Sequence, residues 1–146
     1  MIARAADHCF WLGRYIERTE NTARVLQATG ALALDAELPP RRCWHPVVIV
    51  AGQEADYVAR FGRSALGDAE VVQRYLARDE QNPVCLRGSI AAARENARSI
   101  REVLSQDVWQ VINELHMSSD RTRPRRCTRT IATRSTRACS ARRNSA

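Results

Sequence analysis

The sequence predicts an all-α fold: a helical bundle built on two long helices, about 2–29 and 83–104, with a disordered C-terminal tail. Three observations lead there. Apolar residues recur at helical spacing through most of residues 2–115. Helix-start signals precede the later segments, the clearest being Asn82-Pro83. Near His116 the apolar pattern stops and arginine becomes dense.

The first helix, 2–29, carries Ala5, Cys9, Leu12, Ile16, Thr19, Ala23 and Leu26 on one stripe. Roughly opposite, a second stripe begins with Ala3, Ala6 and Phe10. Past Gly13 it becomes polar, with Arg14, Glu17, Asn21 and Arg24. Two apolar stripes predict a helix buried on two sides, with another backbone able to approach Gly13. Gly30 offers an end, although 31–36 can prolong the helix. Leu38-Pro39-Pro40-Arg41-Arg42 reads as a loop. The Val-rich run 44–51 resembles a strand in isolation, but its helical neighbours predict a short buried helix starting near Pro46. A short helix follows at 54–61, then a loop at 62–67. Asp68 caps a helix over 69–78, with Val71, Val72, Tyr75 and Leu76 inward. Asn can cap and Pro suits the first helical position, so Asn82-Pro83 opens the second long helix. Its apolar stripe is Leu86, Ser89, Ala93, Ala97, Ile100 and Leu104. Ser105 caps a last helix, 106–116, with Val108, Ile112 and Leu115 inward and Trp109 at the margin. Trp11, Trp44 and Trp109 read as core anchors.

Charge divides the chain in two. Residues 1–116 hold 14 Arg against 15 Asp plus Glu, whereas 117–146 hold nine Arg against one Asp. The excess of basic charge therefore belongs to the tail, and the body offers no electrostatic footprint for specific nucleic-acid binding. The tail has almost no large apolar residue and is expected to be disordered. Its abrupt change of composition is what translation in a shifted frame would produce. All 23 basic residues are Arg, as a GC-rich genome would favour. The five cysteines at 9, 43, 85, 127 and 139 share no CxxC spacing and read as reduced thiols in a cytoplasm. No apolar run is long enough for a membrane span. The three scattered histidines form no HExxH or Glu-x-x-His pattern, and neither a metal nor a cofactor is expected. There is no GxSxG, phosphate loop or dinucleotide fingerprint to suggest a self-contained enzyme.

Two related strings stand out: Glu20-Asn21-Thr22-Ala23-Arg24 and Glu95-Asn96-Ala97-Arg98. Each combines a carboxylate, an amide and a guanidinium on a helix. Three readings are open for Arg14, Glu17, Asn21 and Arg24: a solvated face, an inter-helix polar network, or a ligand site. Arg87, Arg94, Arg98 and Arg101 align in a narrow arc flanked by Glu95 and Glu102. That arc is either solvated or a clamp for phosphate or carboxylate. A catalytic alternative makes Glu17 or Glu20 a general base with the arginines as anion clamps, and a second alternative is a purely structural helical bundle whose polar faces are solvated.

The string from Phe10-Trp11-Leu12-Gly13-Arg14-Tyr15-Ile16-Glu17-Arg18 through Thr19-Glu20-Asn21-Thr22-Ala23-Arg24 resembles the opening of the bacterial alpha-E domain family. Trp44 followed by Pro46, the Asp79-x-x-Asn82-Pro83 segment, and Ser89-Ile90 leading into Ala93-Arg94-Glu95-Asn96-Ala97-Arg98 fit it too. Leu104-Ser105, Trp109 and Asn113-Glu114 complete a resemblance covering 1–116. The resemblance implies an all-helical cytoplasmic domain. It also implies a neighbouring or fused ATP-grasp-type ligase, a transglutaminase-like protein nearby, and an accessory role in ATP-dependent peptide or amide-bond formation. Arg14, Glu17, Arg18, Glu20, Asn21, Arg24, Arg94, Glu95, Asn96 and Arg98 are the matching motif residues. Arg101 joins them as a ligand candidate through the arginine arc. Members are about twice as long and stay helical past the point matching His116. The expectation is therefore a truncated or frame-shifted copy, 1–116, with an unrelated tail, 117–146.

Overall fold

The computed structural model describes residues 2–35 and 37–121. The chain forms α1 (Ile2–Asp35), α2 (Pro40–Val50), α3 (Glu54–Phe61), a 3-10 turn (Arg63–Gly67), α4 (Ala69–Arg78), α5 (Leu86–Ser99) and α6 (Gln106–Arg121). No strand occurs among the described residues. At 1.5 Å per residue α1 is about 50 Å long. It runs past Gly30, and its two halves serve two separate cores.

The first core gathers Cys43, Trp44, Val47 and Val48 of α2, Tyr57 of α3, Leu66 of the 3-10 turn, and Val72, Tyr75 and Leu76 of α4. Val25, Leu26 and Ala33 of α1 pack against it. Three rings interlock here, with Tyr57 and Tyr75 edge-to-face at 5.1 Å and Phe61 against both. Asp68 caps α4 as expected, accepting from the amides of Glu70 and Val71. The second core joins Leu12 of α1 to Ala93, Ala97 and Ile100 at α5 and Ile112 of α6, with Ala5, Tyr15, Leu104 and Trp109 around it. Small residues at every fourth position of α5, Ser89, Ala93 and Ala97, are buried and let α1 approach closely.

Several boundaries differ from the sequence expectation. The second long helix is 86–99, not 83–104. Asn82 does not cap it. The Asn82 side chain accepts from the Val84 amide and donates to the Tyr75 carbonyl, both at 3.0 Å, which holds 82–85 in a turn. Cys85 is the cap instead, its Sγ accepting from the Gly88 amide at 3.2 Å. At the other end the chain turns at Ile100, whose side chain is buried in the second core. The Val-rich helix starts at Pro40 and contains Pro46. Residues 63–67 are a 3-10 turn, not an irregular loop. The last helix continues through 117–121, past its expected end at 116. The remaining expectation of tail disorder, together with Cys127 and Cys139, lies outside the described residues.

Burial of α1 is also narrower than two full stripes require. α5 contacts it along a single strip, so Cys9, Ile16 and Ala23 at the edges remain exposed. The opposite stripe, Ala3, Ala6 and Phe10, is exposed as well. Trp44 is a core anchor and Trp109 packs against the second core, but Trp11 is 41% exposed. On α6 Ile112 points inward, whereas Val108 and Leu115 are exposed.

Candidate functional site

The polar half of the second α1 stripe borders a cleft of about 310 Å³. Helical spacing places Arg14, Glu17, Arg18, Asn21 and Val25 along one side. Opposite are Val47 and Val50 from α2, Ala51 just past its end, Leu76 from α4, and Val84 from the turn that Asn82 fixes. The result is a polar edge facing an apolar wall.

The polar groups differ in how far they are satisfied. Arg14 donates to Glu17 at 2.7 Å in a water-exposed i,i+3 pair, an arrangement worth at most a few tenths of a kcal/mol. Arg18 is half-buried, and its guanidinium carbon lies 5.6 Å from the centre of the Tyr15 ring. It has no carboxylate partner among the described residues. The Asn21 amide likewise faces the cleft without a hydrogen-bond partner among the described residues. Arg18 and Asn21 therefore offer donors to an incoming acceptor, with an apolar surface to receive whatever that acceptor is attached to.

The other motif residues do not join this cleft. Glu20 and Arg24 pair with each other on the surface. Of the two candidate bases, only Glu17 lines the cleft, and neither it nor Glu20 is buried. The α5 string lies at the far end of the helix pair. α1 and α5 are antiparallel, so Asn96 meets His8: His8 Nδ1 is 2.9 Å from Asn96 Oδ1, and Asn96 Nδ2 donates to the Ala92 carbonyl at 2.9 Å. Asn21 instead lies by Val84, before the start of α5. From residue 8 to residue 21 is about 20 Å along the helix. The two related strings thus make separate arrangements.

The arginine arc of α5 is divided among different partners. Arg87 bridges Glu80 at 3.1 Å and Asp120 at 2.9 Å. Arg94 donates through Nε to Asn113 Oδ1 at 2.7 Å and lies over the Trp109 ring, which Arg101 also covers at 5.1 Å. Arg98 holds Glu95 at 2.5 Å on the surface, and that hydrogen bond lowers the Glu95 pKa. Arg94 on α5 and Arg101 in the turn after it latch α6 in place through Trp109 and Asn113. Sequence reasoning missed the latch, the His8–Asn96 contact and the whole apolar wall. Asn96 at the edge of an apolar stripe was the one available hint of an inter-helix contact. Nothing in the spacing of Val47, Val50, Leu76 and Val84 could place them together.

Among the described residues no group of three or more His, Cys, Asp or Glu side chains is placed to hold a metal, and no helix is long and apolar enough to cross a membrane. Comparison with solved structures and with curated proteins finds no significant match. Residues 1–144 match the model of the Alpha-E family, described as a predicted alpha-helical domain with a conserved ER motif. The match extends past the 1–116 span of the sequence resemblance. The chain contains one Glu-Arg step, Glu17-Arg18, and both residues line the cleft.

Proposed function

The chain belongs to the Alpha-E family, and from that premise we propose that it is an accessory binding domain whose α1–α2 cleft receives an anionic group carrying an apolar body. One observation carries this reading: Arg18 of the Glu-Arg step is half-buried in an apolar-walled cleft and makes no ion pair with a carboxylate among the described residues. A guanidinium so placed favours a carboxylate or phosphate oxygen, and the Asn21 amide adds a second donor. Arg14 and Glu17 shape the rim. On this reading the domain works in the cytoplasm beside an ATP-grasp-type ligase, with a transglutaminase-like protein as a further partner. It presents or shields a group used in amide-bond formation. The support for those partners is the family resemblance.

The experiment is isothermal titration of the purified chain with N-acetyl-leucine, inorganic phosphate and ADP, repeated on Arg18→Ala and on Arg98→Ala. One charge-assisted hydrogen bond is worth about 1.5–3 kcal/mol, so Arg18→Ala should weaken binding by roughly 10- to 150-fold. Arg98→Ala, on α5 and away from the cleft, should leave it unchanged. Equal affinity in the wild type and Arg18→Ala, or no saturable binding of any probe, refutes the cleft as the site.

A further inference from the structure

The N-terminal half of α1 has a face that no other described residue covers. Ala3, Ala6, Asp7, Phe10, Gly13 and Arg14 lie along it, and all are exposed. Phe10 is 60% exposed and Trp11 beside it 41%, the two rings edge-to-face at 5.4 Å. A side-chain carbon added at Gly13 would meet nothing within 4 Å. Elsewhere on the helix, Val25, Leu26 and Ala33 are packed against the first core. Two large aromatics held side by side in water, with small residues on the same face, have the form of an unpaired helix interface.

We propose that this face docks on the same face of a second copy of the chain, with the two α1 helices antiparallel about a two-fold axis between Phe10 and Trp11. The order of charges argues for both the copy and the direction. Antiparallel pairing centred between residues 10 and 11 brings Asp7 of one copy to Arg14 of the other, and symmetry makes the contact twice. Phe10 of each copy then meets Trp11 of the other. Parallel pairing in register would oppose Asp7 to Asp7 and Arg14 to Arg14. Ala3, Ala6 and Gly13 carry little or no side chain, which allows the backbones to approach. Arg14 also lines the cleft, so the second copy sits at the cleft's edge and shields its rim.

The test is sedimentation velocity on the full chain up to about 200 μM, a range that detects even weak dimers. The wild type should dimerise. Asp7→Arg turns two attractions into two repulsions and should raise the dimer dissociation constant roughly tenfold or more. Asp7→Arg combined with Arg14→Asp restores the charge order and should recover the dimer. Phe10→Ser should abolish it. Far-UV circular dichroism should be unchanged in each variant, because these side chains touch no core. A monomeric wild type overturns the proposal and assigns the face to a different protein or segment. So does an unaltered dissociation constant in Asp7→Arg, or a double reversal that fails to recover pairing.

Discussion

Replacing Asn82 by Ala tests the joint between the two cores. Asn82 is 2% exposed. Its Nδ2 satisfies the Tyr75 carbonyl, one of the last four of α4, and its Oδ1 satisfies the Val84 amide, each at 3.0 Å. Ala removes both hydrogen bonds at once and leaves a buried carbonyl and a half-buried amide without partners. At about 1–2 kcal/mol for each group left unsatisfied, the loss is about 3 kcal/mol. For a chain of this size that lowers the melting temperature by roughly 12 °C. Urea unfolding of Asn82→Ala should show a lower midpoint with an unchanged slope. Gln81→Ala, one residue earlier and exposed, should stay within about 0.5 kcal/mol of the wild type. Because the same turn positions Val84 in the cleft wall, ligand affinity should fall along with stability. A loss under about 1 kcal/mol would mean that water replaces the side chain and that the turn does not depend on it.

Two further outcomes follow from the packing and electrostatics. Arg94→Ala removes the hydrogen bond to Asn113 and the contact with Trp109. It should cost about 1–2 kcal/mol and alter Trp109 fluorescence, whereas Arg98→Ala should change neither; equal effects in both would contradict the latch. Burial raises the Tyr57 and Tyr75 pKa values above 10.0, with Asp68 adding to the first and Asp56 to the second. The folded state then keeps protons that the unfolded chain releases. This stability is fully present below pH ~10 and is lost as pH rises through the folded-state values. Urea midpoints should therefore fall as pH rises above about 10, with tyrosinate absorbance following unfolding; constant midpoints there would show the phenols to be accessible.

The cleft was partly legible in the residues. Asn21 in mid-helix and the polar continuation of an apolar stripe marked 14–24 as unusual, and Arg14, Glu17, Arg18 and Asn21 do line one cleft. Glu20 carried the same signal but faces elsewhere, about 100° round the helix from its neighbours, and Arg24, although on the stripe, turns to pair with it. The recurrence of the string in α5 suggested one network. The antiparallel run of α1 and α5 instead placed Asn96 against His8. The four-arginine arc read as a unit because one helix over 83–104 would put all four on one face, but α5 ends at Ser99 and leaves Arg101 beyond it. Its members divide because Asn113, Trp109, Glu80 and Asp120 approach that face from other segments.

The sequence by itself determined that the chain is helical, where α3 and α4 lie, and that Asp68 caps α4. Local spacing and capping chemistry act within a few residues and need no tertiary partner. The tertiary structure alone decided which polar residues share a site. It also decided that Asn82 braces a turn instead of starting a helix, and that α1 is shared between two cores. Those outcomes depend on which helix lies against which. That choice is made by the summed fit of small residues on α5 and large ones around α2, a property of surfaces assembled from distant parts of the chain.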